Sequence, residues 1–293
     1  MTTGAQAAMQ PPVEPMAAPA RRLRILSYNI QAGIDTRTYR DYLVQSWKHV
    51  LPHRERIRNL NRIADLCAGY DLVGLQEVDA GSLRSGFIGQ TEYLAHRAGF
   101  PHWYQQINRN IGAFAQHSNG LLTRLRPVHL AEHKLPGMPG RGAMLADFGP
   151  PGAGLRVCIV HLSLGRRSRQ MQMRFVADLI GNHPHAVVMG DLNCGCEARE
   201  VRHLMHTTGL REPACDQKTF PSWRPMRRID HILVSEALSI RNARVLDYSL
   251  SDHLPISLEV VLPPEVDLVF PHRSLHRPRD GIERLEGEGL RAG

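Results

Sequence analysis

The chain has 293 residues, 42% of them hydrophobic, with a net charge of +8 and a pI near 9.6. That length and apolar content support a sizeable core, and no stretch approaches the apolar length needed to span a bilayer. The N-terminus shows no charged n-region or apolar h-region, so no signal peptide is evident and a cytoplasmic protein is expected; a monomer is the expected state. The positive charge suits a polyanionic partner, although only Lys48, Lys134 and Lys218 are lysines, an arginine bias that genome composition also produces. The five cysteines (Cys67, Cys158, Cys194, Cys196 and Cys215) are odd in number and scattered, and read as free thiols of a reducing compartment. The Cys194-Gly-Cys196 spacing is wrong for a zinc knuckle.

Residues 1–20, rich in Ala, Pro, Met and Gln without periodicity, read as a disordered tail. A catalytic domain is expected over 21–263 and a largely irregular tail over 264–293. Its first strand, Arg22–Ile30, carries Asn29 near its end. The stretch Gln31–His53 is an unassigned loop. A helix follows with Ile57, Leu60, Ile63, Ala64 and Cys67 on one face, stopped near Gly69. Asp71–Val78 is a strand with Glu77 near its end, followed by the Gly81–Gly89 loop with Arg84. Thr91–Ala98 reads as a short helix; Phe100–Tyr104 and Asn119–Arg124 read as strands. Pro136–Gly142 is a turn-rich break before a hairpin of Ala143–Phe148 and Leu155–Leu162, with His161 at its end.

Arg167–Gly181 is predicted as a helix that turns Met171, Phe175, Val176 and Leu179 to the core. Ala186–Met189 is a short buried strand. It runs into Gly190-Asp191-Leu192-Asn193, where glycine permits a turn and places Asp191 and Asn193 two residues apart on one side. Glu197–Thr207 reads as helical, Arg228–Val234 as a strand opening near Asp230, and Ser251–Pro255 as a polar turn before the strand Ile256–Leu262. Many strands with few helices exclude an all-α fold and a simple all-β fold, and fit mixed sheets with helices outside.

Polar residues therefore end several apolar strands: Asn29, Glu77, His161, Asp191 with Asn193, and Asp252 with His253. Strand ends meet on one rim of a layered sheet, so these groups can converge. Glu77 and Asp252 are hard oxygen ligands suited to Mg²⁺ or Mn²⁺, with Asn29 beside them. The two histidines can donate to phosphate oxygens or move protons near neutral pH. Asp191 can orient or deprotonate water, and Asp230, beside Ile229, needs a partner such as histidine. Arg109, Asn119 and Arg169 are candidates for holding substrate.

Six segments in this order carry a specific resemblance: Ser-Tyr-Asn-Ile (27–30), Leu-Gln-Glu-Val (75–78), Val-His-Leu (160–162), Gly-Asp-Leu-Asn (190–193), Arg-Ile-Asp-His-Ile (228–232) and Ser-Asp-His-Leu-Pro (251–255). From about Arg22 to Leu262 the chain resembles the endonuclease/exonuclease/phosphatase superfamily. The resemblance implies a four-layer α/β sandwich, two mixed β-sheets face to face with helices outside. It implies a divalent-metal phosphoesterase, most readily a phosphodiesterase, using Mg²⁺ or Mn²⁺ on nucleic acid, phospholipid or a small phosphoester. It assigns Asn29, Glu77 and Asp252 to the metal, Asp191 and Asn193 to the attacking water, and His253, oriented by Asp230, to the scissile phosphate. His161 contacts the same phosphate or assists the leaving group. Repair enzymes of the exonuclease III kind usually carry Tyr at the His161 position, so His there points away from them. The alternative is a catalytically silent binding module on the same fold, which should have lost a metal- or water-handling residue; none is missing. A Rossmann-like binder lacks its Gly-rich fingerprint after the first strand.

Overall fold

A computed structural model describes residues 21–31, 53–81, 89–111, 115–214 and 216–269, with the side chains of 53–54 and 109–117 outside that description. The expected N-terminal tail, most of the 31–53 loop and the loop with Arg84 lie outside these residues, as does the end of the C-terminal tail.

The described residues form twelve strands and four helices in the order β1 (Arg22–Asn29), α1 (His53–Cys67), β2 (Leu72–Asp79), α2 (Gln90–Ala98), β3 (His102–Ile111), β4 (Ala115–Thr123), β5 (His129–Lys134), β6 (Gly142–Phe148), β7 (Leu155–His161), α3 (Arg166–Ile180), β8 (Ala186–Asp191), α4 (Arg199–Thr208), β9 (Leu210–Arg211), β10 (Asp230–Ser235), β11 (Ser239–Val245) and β12 (Ile256–Val261). One sheet runs β11-β12-β1-β2-β4-β3 and the other β5-β6-β7-β8-β10-β9. Among the described strands only β1/β2 and β7/β8 pair in parallel, and α1 and α3 make the crossovers that parallel neighbours require.

Three apolar clusters explain the layering. One holds Leu23, Ile25 and Leu72 of the first sheet with Val157, Val187 and Ile232 of the second, and fills the space between the sheets. A second packs Cys158, Val160 and Val188 beneath Met173, Val176 and Ile180 of α3. The third packs Leu26, Val73 and Leu75 beneath Leu60 and Ile63 of α1 and Leu94 of α2. Period-2 strands buried on both faces and helices buried on one stripe leave this four-layer α/β sandwich as the arrangement that covers every apolar face.

Several local expectations change. β5 and β11 carry charged residues on much of their length and have no counterpart in the predicted elements. Helix α3 buries Gln172, Met173, Val176, Ala177 and Ile180 and leaves Met171 46% exposed. The predicted stripe was thus rotated, because a glutamine occupies the core face: Gln172 Oε1 accepts the Ser163 N–H at 2.9 Å, and its Nε2 donates to Ser163 Oγ and the Pro136 carbonyl. Cys67, Cys158 and Cys194 are free and buried. Cys196 is disulfide-bonded, which corrects the expectation of free thiols throughout and removes it from the argument for a reducing compartment. Past Pro264, Val266 and Leu268 join the core between the sheets. No described helix is long and apolar enough to cross a membrane.

One buried ionic pair holds β10 in place. His231 Nδ1 lies 2.6 Å from Glu212 Oε1, and its Nε2 lies 2.7 Å from the Cys194 carbonyl. Burial, the largest influence, lowers the imidazole pKa, yet the hydrogen bond and charge of Glu212 outweigh it and the net shift is upward. A raised histidine pKa stabilises the fold fully below the unfolded-state value of about 6.5, and the increment disappears as pH rises through the folded-state value. His231→Gln should therefore cost about 3–5 kcal/mol near pH 6, because it strands a buried carboxylate. It should also flatten the fall in stability between neutral and alkaline pH. Urea melts of both proteins across that range test this, and a pH-independent difference between them would refute it.

Candidate active site

The site is assembled from facing strand ends. In the second sheet, register sets three side chains in a row: Asp191 on β8 is paired with His161 on β7 and with Asp230 on β10. In the first sheet, Asn29 at the end of β1 pairs with Gln76, so Glu77 comes next on β2. Strand periodicity alone would send Glu77 to the face of Val73 and Leu75, under the helices. A register shift between Leu75 and Val78, with Glu77 at φ 56°, re-aims it toward the cleft. A non-glycine residue in that left-handed region stores local strain, a recurrent feature of functional positions.

Two networks converge on the cleft. Asn29 Nδ2 lies 3.3 Å from both Glu77 Oε1 and Asp191 Oδ2, and so bridges the sheets. Asp191 Oδ1 accepts the Asn193 N–H at 2.8 Å, while Asn193 Nδ2 donates to the Leu162 carbonyl at 2.8 Å. His161 Nε2 stands 3.5 Å from Asp191 Oδ2 and 3.8 Å from Glu77 Oε1. In the second network His253 Nδ1 is 2.8 Å from Asp230 Oδ2, which also accepts the Thr219 hydroxyl at 2.6 Å. The Nδ1 proton is thereby committed to Asp230, which leaves Nε2 to face the cleft. Asp252 Oδ1 accepts from Ser251 Oγ at 3.2 Å and stands 3.9 Å from His253 Nε2.

Burial and crowding of charge shape the electrostatics. Burial lowers the His253 pKa most strongly, but the charge and hydrogen bond of Asp230, with the charges of Asp191 and Asp252, carry it up to about 10. The surrounding carboxylates thus favour the imidazolium form of His253. Burial, and then the charge of Asp230, pushes Asp191 up to about 7. Burial raises Asp252 to about 6, aided by Glu77 and opposed by His253.

These residues fit a hard divalent cation. Asp191, Asp230 and His253 each offer a ligand-type atom within 4.8 Å of one another. His253 is already bonded to Asp230, however, so this trio is charge-compensated from within, apart from the buried Asp230 Oδ1, which has no hydrogen-bond partner. The charge of Glu77 makes Asp252 harder to ionise, and the two carboxylates, with Asn29 beside them, are hard oxygen donors of the kind a divalent cation takes.

The cleft is a cavity of about 660 Å³. Glu77, His161, Asp191, Asn193, Asp252 and His253 line it with residues absent from the predicted set: Arg141, Phe220, Trp223, Arg224 and Arg227. Arg141 Nη1 lies 2.9 Å from His161 Nε2 and 3.0 Å from Nδ1, so whichever nitrogen is unprotonated accepts from it. Its signal in the sequence was an arginine set between Gly140 and Gly142 in a segment read only as a break. The Phe220 ring packs on His253 tilted by 51°, with centroids 4.9 Å apart. The signal for this wall was the run Thr-Phe-Pro-Ser-Trp-Arg just upstream of β10.

The residues proposed to hold substrate are placed differently. Arg169 is committed internally, to Glu200 Oε1 at 3.2 Å and to the carbonyls of Ser163 and Leu164. It ties α3 to α4 and steadies the loop at the cleft rim. Asn119 is fully buried and donates to the Gly142 carbonyl at 3.1 Å, next to Arg141. Arg109 pairs with His117 in the β3/β4 ladder, and its side chain lies outside the described residues.

Comparison with known proteins bears on the same segments. The profile of the Endonuclease/Exonuclease/phosphatase family matches residues 26–253, spanning every strand end described above. The chain belongs to this family. Its members are hydrolases acting on phosphoester bonds. An uncharacterized Escherichia coli protein, YbhP, is 31% identical over 169 residues; the match spans 50% of this chain and 63% of that relative. The fold superposes on a family structure from Beutenbergia cavernae with a TM-score of 0.63 at 21% identity, covering 83% of this chain and 72% of that one. A mannosyl-6-phosphatase from Bacteroides thetaiotaomicron gives 0.60 at 17% identity, covering 82% and 99%. The sulfate-bound catalytic domain of human Nocturnin gives 0.58 at 17%, covering 83% and 95%. At these identities the structures share the family fold.

Proposed function

We propose that this chain is a divalent-metal-dependent phosphodiesterase that cleaves its substrate by in-line attack of a water molecule. The observation that carries the reading is the meeting of Asn29 and Glu77 from one sheet with His161, Asp191 and the Asp230–His253 pair from the other, around one cavity. Glu77 and Asp252, with Asn29, would hold the cation. When bound, it supplies charge neutralisation to a phosphoryl oxygen.

The chain's own residues do the rest. Asp191, a carboxyl with a pKa raised toward neutrality, holds the attacking water and takes its proton. Asn193 fixes Asp191 through its backbone N–H. His253, kept protonated and oriented by Asp230, places a fixed cation against the equatorial oxygens, where charge gathers in the transition state. His161 and Arg141 face the same phosphate from the other side of Asp191.

The test is hydrolysis of bis-p-nitrophenyl phosphate with and without chelator. Activity should vanish in EDTA and return with Mg²⁺ or Mn²⁺. Glu77→Gln keeps the shape but removes a hard anionic ligand, and should raise the metal concentration for half-maximal rate by at least about tenfold. Undiminished turnover in chelator would overturn the metal assignment.

A further inference from the structure

Among the described residues the exposed large apolar side chains are Ile107, Val128, Met138, Leu164, Met171, Met226 and Val269. Four of these gather at one place. Leu164, 72% exposed, and Met226, 61% exposed, line the mouth of the catalytic cavity. Met138, 69% exposed, lines with Leu164 and Glu77 an adjoining recess of about 300 Å³. The Met171 methyl lies beside Gly137, the neighbour of Met138, 3.4 Å from where a Cβ would stand. They come from three separate stretches of chain: the β5–β6 loop, the start of α3 and the loop before β10. No single amphipathic element accounts for them, and none packs into a core.

The same rim is basic. Arg166 and Arg167 open α3, a helix with no acidic residue in its first turn. Arg166 reaches Glu200 Oε2 at 3.9 Å, but the exposed Arg167 opposes the helix dipole at that end, so local stability does not select it. Arg224 and Arg227 are exposed on the opposite wall of the cavity. Arginines alone would suit any polyanion. Exposed thioether and leucyl tips contribute nothing to a nucleic-acid backbone and gain only by leaving water. Apolar tips ringed by arginines match an anionic bilayer surface, where the tips enter the headgroup–acyl boundary and the guanidinium groups meet lipid phosphates.

We propose that the cleft rim docks on an anionic phospholipid surface, and that the phosphate delivered to the cavity is that of a phospholipid headgroup; the second half rests on the phosphodiesterase reading above. The test uses the full chain in EDTA, so that binding is read without turnover. Co-sedimentation with phosphatidylcholine vesicles doped with phosphatidylglycerol should exceed that with phosphatidylcholine alone. Arg167→Glu/Met171→Glu alters two exposed α3 positions that line neither recess. It should weaken vesicle binding by at least about tenfold while leaving hydrolysis of soluble bis-p-nitrophenyl phosphate unchanged. Met171→Ser should give a smaller loss that persists at high salt.

Absence of vesicle binding by the wild type overturns the proposal. So does binding that neither variant weakens, and so does tight retention on duplex DNA in place of vesicles. A chain that binds vesicles with this sensitivity yet hydrolyses no soluble diester upholds the docking face and refutes the phosphodiesterase reading instead.

Discussion

Asp191→Asn should lower the single-turnover rate constant by about 10²–10⁴, the usual loss when a general base is removed, and should at the same time stabilise the protein. The first effect follows from position: Asp191 is 2% exposed, 3.5 Å from His161 and held by the Asn193 N–H. The second follows from linkage. A carboxyl whose folded pKa is raised to about 7 is harder to ionise in the native state than in the unfolded chain. It therefore opposes folding increasingly as pH rises from its unfolded value through 7. The amide removes that burden, although its NH₂ must face either Asn29 Nδ2 or the Asn193 N–H, donor against donor, which offsets part of the gain. A net increase of about 1–2 kcal/mol at pH 8, read from thermal melts in EDTA, is the expected balance. Substrate affinity should persist or tighten as repulsion of the phosphate is relieved. A variant that keeps its rate constant but loses affinity would make Asp191 an anchor and pass water activation to a histidine.

The strand ends were legible because each couples a short apolar run to an abrupt polar residue, and strand periodicity needs no distant information. Asp230 and His253 could be matched because a buried carboxylate next to Ile229 requires a partner, and the observed separation is 2.8 Å. What stayed hidden depends on tertiary context. β5 and β11 alternate half-buried and exposed residues at sheet edges, where arginines, histidines and a glutamate mask the strand pattern. The α3 face was misjudged because Met171 looks like core and Gln172 does not, yet only Gln172 can satisfy the Ser163 N–H behind β7. The bulge that swings Glu77 out from under the helices leaves no mark in Leu-Gln-Glu-Val. Arg141 and the Phe220–Arg227 wall come from loops, whose residues acquire meaning only when the fold brings them to the cavity. Their absence from the sequence reading is why the chemistry could be inferred earlier than the substrate.

Gly190→Ala should abolish cooperative folding or cost at least about 4 kcal/mol, an exceptional value for adding one methyl group. Gly190 has φ 138°, outside the reach of L side chains, and a Cβ there would overlap the Val160 carbonyl oxygen. That oxygen belongs to the neighbouring strand, where Val160 pairs with Gly190 in the parallel β7/β8 ladder, so no side-chain rotation can relieve the clash. Only separation of two central strands would, and both are buried along nearly their whole length. The same contact explains the site. Close approach of β8 to β7 at this point brings Asp191 beside His161, and the turn that follows lets the Asn193 N–H reach back to Asp191. Far-ultraviolet circular dichroism and urea melts report the folding loss. If Gly190→Ala folds with near-native stability, its activity should still fall steeply, because β8 would have shifted away from β7. Native stability together with native activity would refute both the packing argument and the role given to this strand pair.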